Sequence, residues 1–471
     1  MRLMGRTVLH SRRRAAGVAV ALSVAMLALF AGGTHAMAAS GSRGNSAGAD
    51  NWPTFHHDVT HSGISPDTVI DATSTPTLTQ AWSKVVGGKK ASSVYGSPAV
   101  VYNATLGETV VYDGSANGYV DAFNAANGDV IWQADLGTPV EASPAVDGNT
   151  VYFADLGGAL TAFNATTGAV ECSVTLPTTP PQTGPPRILS SPALGYVDST
   201  GPILYFGDVG TKAGNQLGHE WAVTGYGNTG GSCQVKWSFN AWNNPGKNLT
   251  GSWSPPALAQ TSTGEWLDVF GSANPDDSVY ALNAETGALV WRFQSDVTGP
   301  DTDVGAGPTI SAPRVNGFKD GVVYVDGKDT IEYALDLATG AQIWSFDMGT
   351  DTGATYDAES TAALTGNDLV VDFDYYLYEF NATTGAVIWR VALPDSGGIL
   401  GSPAVSGPAG HRVVFIGDLS DNEYGFQLTT GKLVWTHKGT SSILSSTAVS
   451  DGMIFYGDNG GSLLAFAPSS S

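Results

Sequence analysis

Ser-Ala-Asn-Pro-Asp-Asp at 272–277 is found once in the 471-residue chain, and it sets an amide and two carboxylates side by side. Oxygen donors of that kind suit a hard cation, although short polar side chains equally serve to cap a loop. Trp253 and Glu359 stand out in another way. Each lies just ahead of a Ser-Pro-Ala-like element, where the chain otherwise puts Gly96, Ala142, Ser190, Ala306, Gly401 or Ser445. His56, His57 and His61 lie close together and could suggest a transition metal, or simply a polar lead-in segment. No Gly-x-Ser-x-Gly, His-Glu-x-x-His or phosphate loop is present, so the chain lacks those hydrolase, zinc-protease and nucleotide signatures. Without Cys-x-x-Cys-His it has no site for a c-type haem.

The elements that must position these residues are repeats. Seven segments follow one grammar, from "AFNAANGDVIW" at 122–132 through "ALNAETGALVW" at 281–291 to "GFQLTTGKLVW" at 425–435. Each reads as a strand, a turn whose glycine takes positive φ, and a second strand. Ser-Pro-Ala elements recur upstream, as in "GSPAV" at 96 and 401. The spacing of about 40–65 residues fits four-stranded blades. The C-terminal "SSTAVSDGMIFYGDNGGSLLAFA" lacks a final Trp strand, and "LTQAWSK" near the N-terminus supplies one. Together they predict an all-β, eight-bladed propeller over 77–467, closed by pairing the two ends in one blade. Sixty glycines and only 14% charged residues agree with short strands and tight turns rather than long helices. In such a ring the innermost strands crowd the axis, so Trp253 and Glu359 are expected to stand at the channel and to mark a site. A plug in a roomier blade end is the alternative.

Residues 1–38 read as a secretory signal, with five arginines, an apolar run from Ala15 to Ala31 and Ala36-Met37-Ala38 as the cleavage signal. "SRRRA" at 11–15 hints at the twin-arginine route. A lead-in follows over 39–76, and 468–471 form a tail. The expectation is a secreted protein, extracellular or periplasmic, monomeric and without a membrane span. Removing the five arginines takes the net charge from −22 to −27, which argues against a nucleic-acid partner. Export makes a disulfide between Cys172 and Cys233 feasible, with two buried thiols as the alternative.

The Ala-x-Asp/Asn-x-x-Thr-Gly-x-x-x-Trp repeat and "NWPTFHHDVTHSG" at 51–63 resemble the pyrroloquinoline quinone (PQQ) propeller superfamily, closest in motifs to the quinone-dependent alcohol dehydrogenases. The resemblance implies PQQ and Ca²⁺ as cofactors and an alcohol or sugar hydroxyl as substrate, with electrons passing to a separate acceptor. Trp253 of "GSWSPPAL" matches the aromatic floor under the quinone. Asn274 matches a Ca²⁺ ligand, and Asp303, with Asp301 as the alternative, matches the base that also contacts the metal. Lys328 of "DGKDTIEYALD" matches the contact to the quinone oxygen, and Glu359 joins the cofactor-side candidates. Gln216 falls where the family has a glutamate ligand, for which Glu220 or Glu359 could compensate. The superfamily also holds non-catalytic scaffolds, so a propeller binding a protein or glycan through its rim is the second expectation.

Overall fold

A computed structural model describes residues 50–88, 91–178, 184–209, 218–226, 232–240, 251–296, 302–354, 359–394 and 396–469. They form eight four-stranded antiparallel sheets, the blades of a β-propeller. Blades 1 to 7 span 99–135, 145–175, 193–239, 257–294, 309–347, 363–392 and 404–438. Blade 8 takes three strands from 448–468 and its fourth from Leu78–Val85, which pairs antiparallel with Ser462–Pro468. Pairing the termini removes the open edge that a ring would otherwise expose. Gln216, Asp301 and the signal region 1–38 lie outside the described residues. Among the described residues, no helix is long and apolar enough to cross a membrane.

One row of residues crosses every blade in the same register. In blade 1 it runs Ala99–Tyr112–Ala122–Trp132 from the inner strand to the outer one. The inner strand Ala99–Asn103 is buried except at Tyr102, whereas the outer strand Val130–Asp135 buries Trp132 and leaves alternate residues to solvent. Trp132 lays its ring against the next blade: its Nε1 donates to the Ala165 carbonyl at 2.9 Å, and a Cβ on Gly168 would meet the indole at 2.8 Å. Gly168 also has φ of 69°, so the turn needs glycine twice over. Trp82, Trp237, Trp291, Trp344, Trp389 and Trp435 repeat the contact, with Nε1 2.7–3.3 Å from a carbonyl of the following blade. At the eighth interface the row ends in Cys172, opposite Ala162, and Cys172 is disulfide-bonded to Cys233 of blade 3. The bond thus replaces a docked tryptophan.

The lead-in runs around the ring of inner strands and meets all eight blades in order. Trp52 pairs with Val100, and the carbonyls of Pro53, Val59, Thr60, Ser62 and Gly63 accept from Val146, Leu258, Ile310, Leu364 and Val405. Thr54 Oγ1 donates to the Pro192 carbonyl, and Ser65 Oγ donates to that of Val449. His56 and His61 are buried here, with ring nitrogens 2.8 Å from the Pro403 oxygen and 3.0 Å from the Pro308 oxygen. Burial pushes both imidazoles down, to about 4 and about 3. Their role is to tie the lead-in to the blades.

Candidate functional site

Strand register revises the expected position of Trp253 and Glu359. Ala257 faces Val269, and Ala363 faces Val370, as Ala99 faces Tyr112. Counting back three residues, the crowded axial position in blades 4 and 6 belongs to Ser254 and Ser360, which are buried and small like their six equivalents. Blades 4 and 6 each have one residue more than a plain Ser-Pro-Ala element, and Trp253 and Glu359 therefore stand one step further out. Their equivalents are Tyr95, Glu141, Leu189, Gly305, Leu400 and Leu444. All of this row except Gly305 is half-buried, so solvent reaches the channel at this end.

The serines of the Ser-Pro-Ala elements join the blades beneath that row. Backbone N–H groups of Ser97 and Ser143 donate to the hydroxyls of Ser143 and Ser191 at 2.8 and 3.0 Å. On the other side of the ring, Gly307, Thr361, Ser402 and Ser446 donate in the same way to Thr361, Ser402, Ser446 and Ser97. Where Pro255 interrupts the pattern, Ser190 and Ser254 bridge instead, donating to the carbonyls of Ser254 and Ala306. These bonds hold the mouth as a fixed frame.

On this frame, five sequence-predicted residues from blades 4, 5 and 6 come together. Lys328 follows the strand Val322–Val325, and its backbone N–H donates to the Asp303 carbonyl at 2.9 Å. Its ammonium lies 3.2 Å from Asp303 Oδ2, 3.0 Å from Glu359 Oε1 and 5.6 Å from the centre of the Trp253 ring. Asp303 Oδ1 accepts the backbone N–H of Asn274. Gly305 leaves room for the indole, since a Cβ there would stand 2.4 Å from Trp253 Nε1. Burial works against the Lys328 charge, but the carboxylates of Glu359 and Asp303 outweigh it and raise the ammonium above the ordinary lysine range.

Asp276, which sequence reasoning did not single out by role, anchors the 272–277 loop. It is fully buried and accepts from Ser272 and Tyr280, each at 2.7 Å, and from Arg292 at 2.6 Å. Behind Lys328, burial raises Asp326 and Glu332 well above the ordinary carboxyl range, and Asp372 to about 7. The carboxyl oxygens of Asp326 and Glu332 have no hydrogen-bond partner among the described residues. Glu220 is buried in blade 3, where burial and then Asp268 and Asp208 raise it in the same way.

The half-buried indole, the glycine beside it and the nearby ammonium fit a flat aromatic ligand that carries oxygen acceptors. The described residues do not fit a divalent ion. No three of His, Cys, Asp and Glu among them come together as metal ligands, and Asp303 and Glu359 both pair with Lys328.

Eight four-stranded blades closed by both termini, with a site at the mouth, define a β-propeller. Residues 116–188 and 374–470 match the family described as outer membrane protein assembly factor BamB, and residues 263–361 match the glucose/ethanol/alcohol dehydrogenase β-propeller domain. The chain is a PQQ-type β-propeller. It is 29% identical to a tetrathionate hydrolase of Acidithiobacillus ferrooxidans over 27% of this chain and 29% of that one. It is 23% identical to BamB of Moranella endobia over 40% of this chain and 46% of the other. The chain thus spans less than half the length of either relative. A quinohemoprotein alcohol dehydrogenase from Pseudomonas putida superposes with a TM-score of 0.72 at 16% identity, covering 92% of this chain and 83% of that one, a likeness of fold.

Proposed function

We propose that this protein is an exported dehydrogenase-type propeller that seats a PQQ-like quinone over Trp253 and oxidises an alcohol or sugar hydroxyl, passing electrons to a separate acceptor. The observation that carries the reading is the convergence of Trp253, Asn274, Asp303, Lys328 and Glu359 at one mouth of the channel. The dehydrogenase-domain match, over 263–361, spans four of the five. A bound quinone would supply the two-electron acceptor. Trp253 would orient it by stacking, and Lys328 would hold one of its oxygens by charge. Asp303, fixed through Oδ1 by the Asn274 amide, would take the substrate hydroxyl proton on Oδ2. The Ala-x-Ala signal of 1–38 and the Cys172–Cys233 bond support export to an oxidising compartment.

A second reading, a non-catalytic scaffold that binds a protein or glycan through its rim, is favoured by the BamB-family match to 116–188 and 374–470. Quinone binding separates the two. Titration with PQQ should quench tryptophan fluorescence with one-to-one stoichiometry, and Trp253→Ala should weaken binding at least about tenfold through the loss of stacking. No binding at saturating quinone would favour the scaffold.

A further inference from the structure

We infer that the pocket carries its cation within the chain: the Lys328 ammonium, between Asp303 and Glu359, takes the place of a divalent ion, and the site binds its ligand without metal. Both carboxylates are committed to the ammonium, at 3.2 and 3.0 Å. Asp303 is held there from two sides. Its Oδ1 accepts the Asn274 N–H, and its carbonyl accepts the Lys328 N–H. Glu359 reaches Lys328 from the neighbouring blade because the extra residue in blade 6 leaves Ser360 at the axis. The Trp253 ring adds a face suited to a cation, 5.6 Å from Nζ.

A divalent ion using the same oxygens would stand within a few ångströms of the ammonium. Two cations so close in a site this shielded repel strongly, since the side-chain exposures of Lys328, Asp303 and Glu359 are 13%, 6% and 25%. The ion would have to expel the lysine or lose its own ligands. Among the described residues, Asp276 offers nothing in exchange, being taken up by Ser272, Tyr280 and Arg292. The metal inference rests on these ion pairs and the repulsion they imply; that the ligand is a quinone rests on the proposed function.

The test is a titration of the whole mature chain with Tb³⁺, read by tryptophan-sensitised emission, and with Ca²⁺, read by thermal midpoint, both without quinone. The unaltered chain should show no binding that Asp303→Asn removes. Lys328→Gln should gain one-to-one binding, tightened by two orders of magnitude or more, and Lys328→Gln combined with Asp303→Asn should lose it. Asp303-dependent metal binding by the unaltered chain would overturn the inference, as would a folded Lys328→Gln that gains none. Should Lys328→Gln fail to fold, comparing the unaltered chain with Asp303→Asn still decides. Failure of PQQ to bind in a separate titration would count against the proposed function and leave the metal result standing.

Discussion

Breaking the Cys172–Cys233 bond should loosen one seam of the ring. The two cysteines are 61 residues apart, and they close the interface that lacks a docked tryptophan. Cross-linking a loop of that length removes chain entropy worth about 4 kcal/mol from the unfolded state. A cooperative unit of about 400 residues unfolds with an entropy near 0.8–0.9 kcal/mol/K at its midpoint, so the loss corresponds to a fall of about 5 °C. The assay is scanning calorimetry of a variant carrying Cys172→Ala and Cys233→Ala, alongside the unaltered chain with and without reductant. The reduced chain should melt with the variant, and limited proteolysis of both should cut first in blades 2 and 3. A shift below about 1 °C, or first cleavage in a tryptophan-docked blade, would refute the view that the bond substitutes for the missing contact.

Stability should fall from pH 5.5 to pH 8.5. Burial raises Glu423 to about 8 and Glu379 and Asp372 to about 7, so the folded state keeps protons that the unfolded chain has already released. That contribution is complete below the ordinary carboxyl range and is lost as pH rises through the folded values. His56 and His61, pushed down, act in the opposite sense and weaken the fold as pH drops below about 6.5. Glu423→Gln should flatten the alkaline limb by at most about 4 kcal/mol between pH 5 and 8, read from calorimetric midpoints. Trp132→Ala, which removes a stacked ring and its bond to the Ala165 carbonyl, should cost about 3–5 kcal/mol in urea unfolding with the fold retained.

The blades were legible because each repeats a local grammar. The turn glycine stands four residues before the docking tryptophan in five of the segments, as in Gly128 and Trp132, and the orphan strand around Trp82 implied closure with the C-terminal strands. The disulfide had a visible signal too, since "AFNATTGAVEC" ends in cysteine where its sister segments end in tryptophan. What stayed hidden depended on register or on distant contacts. The extra residues in blades 4 and 6 moved Trp253 and Glu359 off the axis, which only strand pairing reveals. The serine ring joins residues some 40 to 350 positions apart, and nothing in one repeat shows that a hydroxyl serves its neighbour. Lys328 and Glu359 were separate candidates in the sequence. Their contact exists because adjacent blades meet, and it joins Asp303 and Glu359 through one ammonium.

The most direct test of the account is turnover. The mature chain, loaded with PQQ in the presence of a metal chelator, is offered a panel of alcohols and sugars with an artificial electron-accepting dye. The account predicts quinone-dependent dye reduction with at least one substrate, reduced by at least about a hundredfold in a folded Asp303→Asn variant. No dye reduction by quinone-loaded protein, or unchanged turnover in Asp303→Asn, would contradict it.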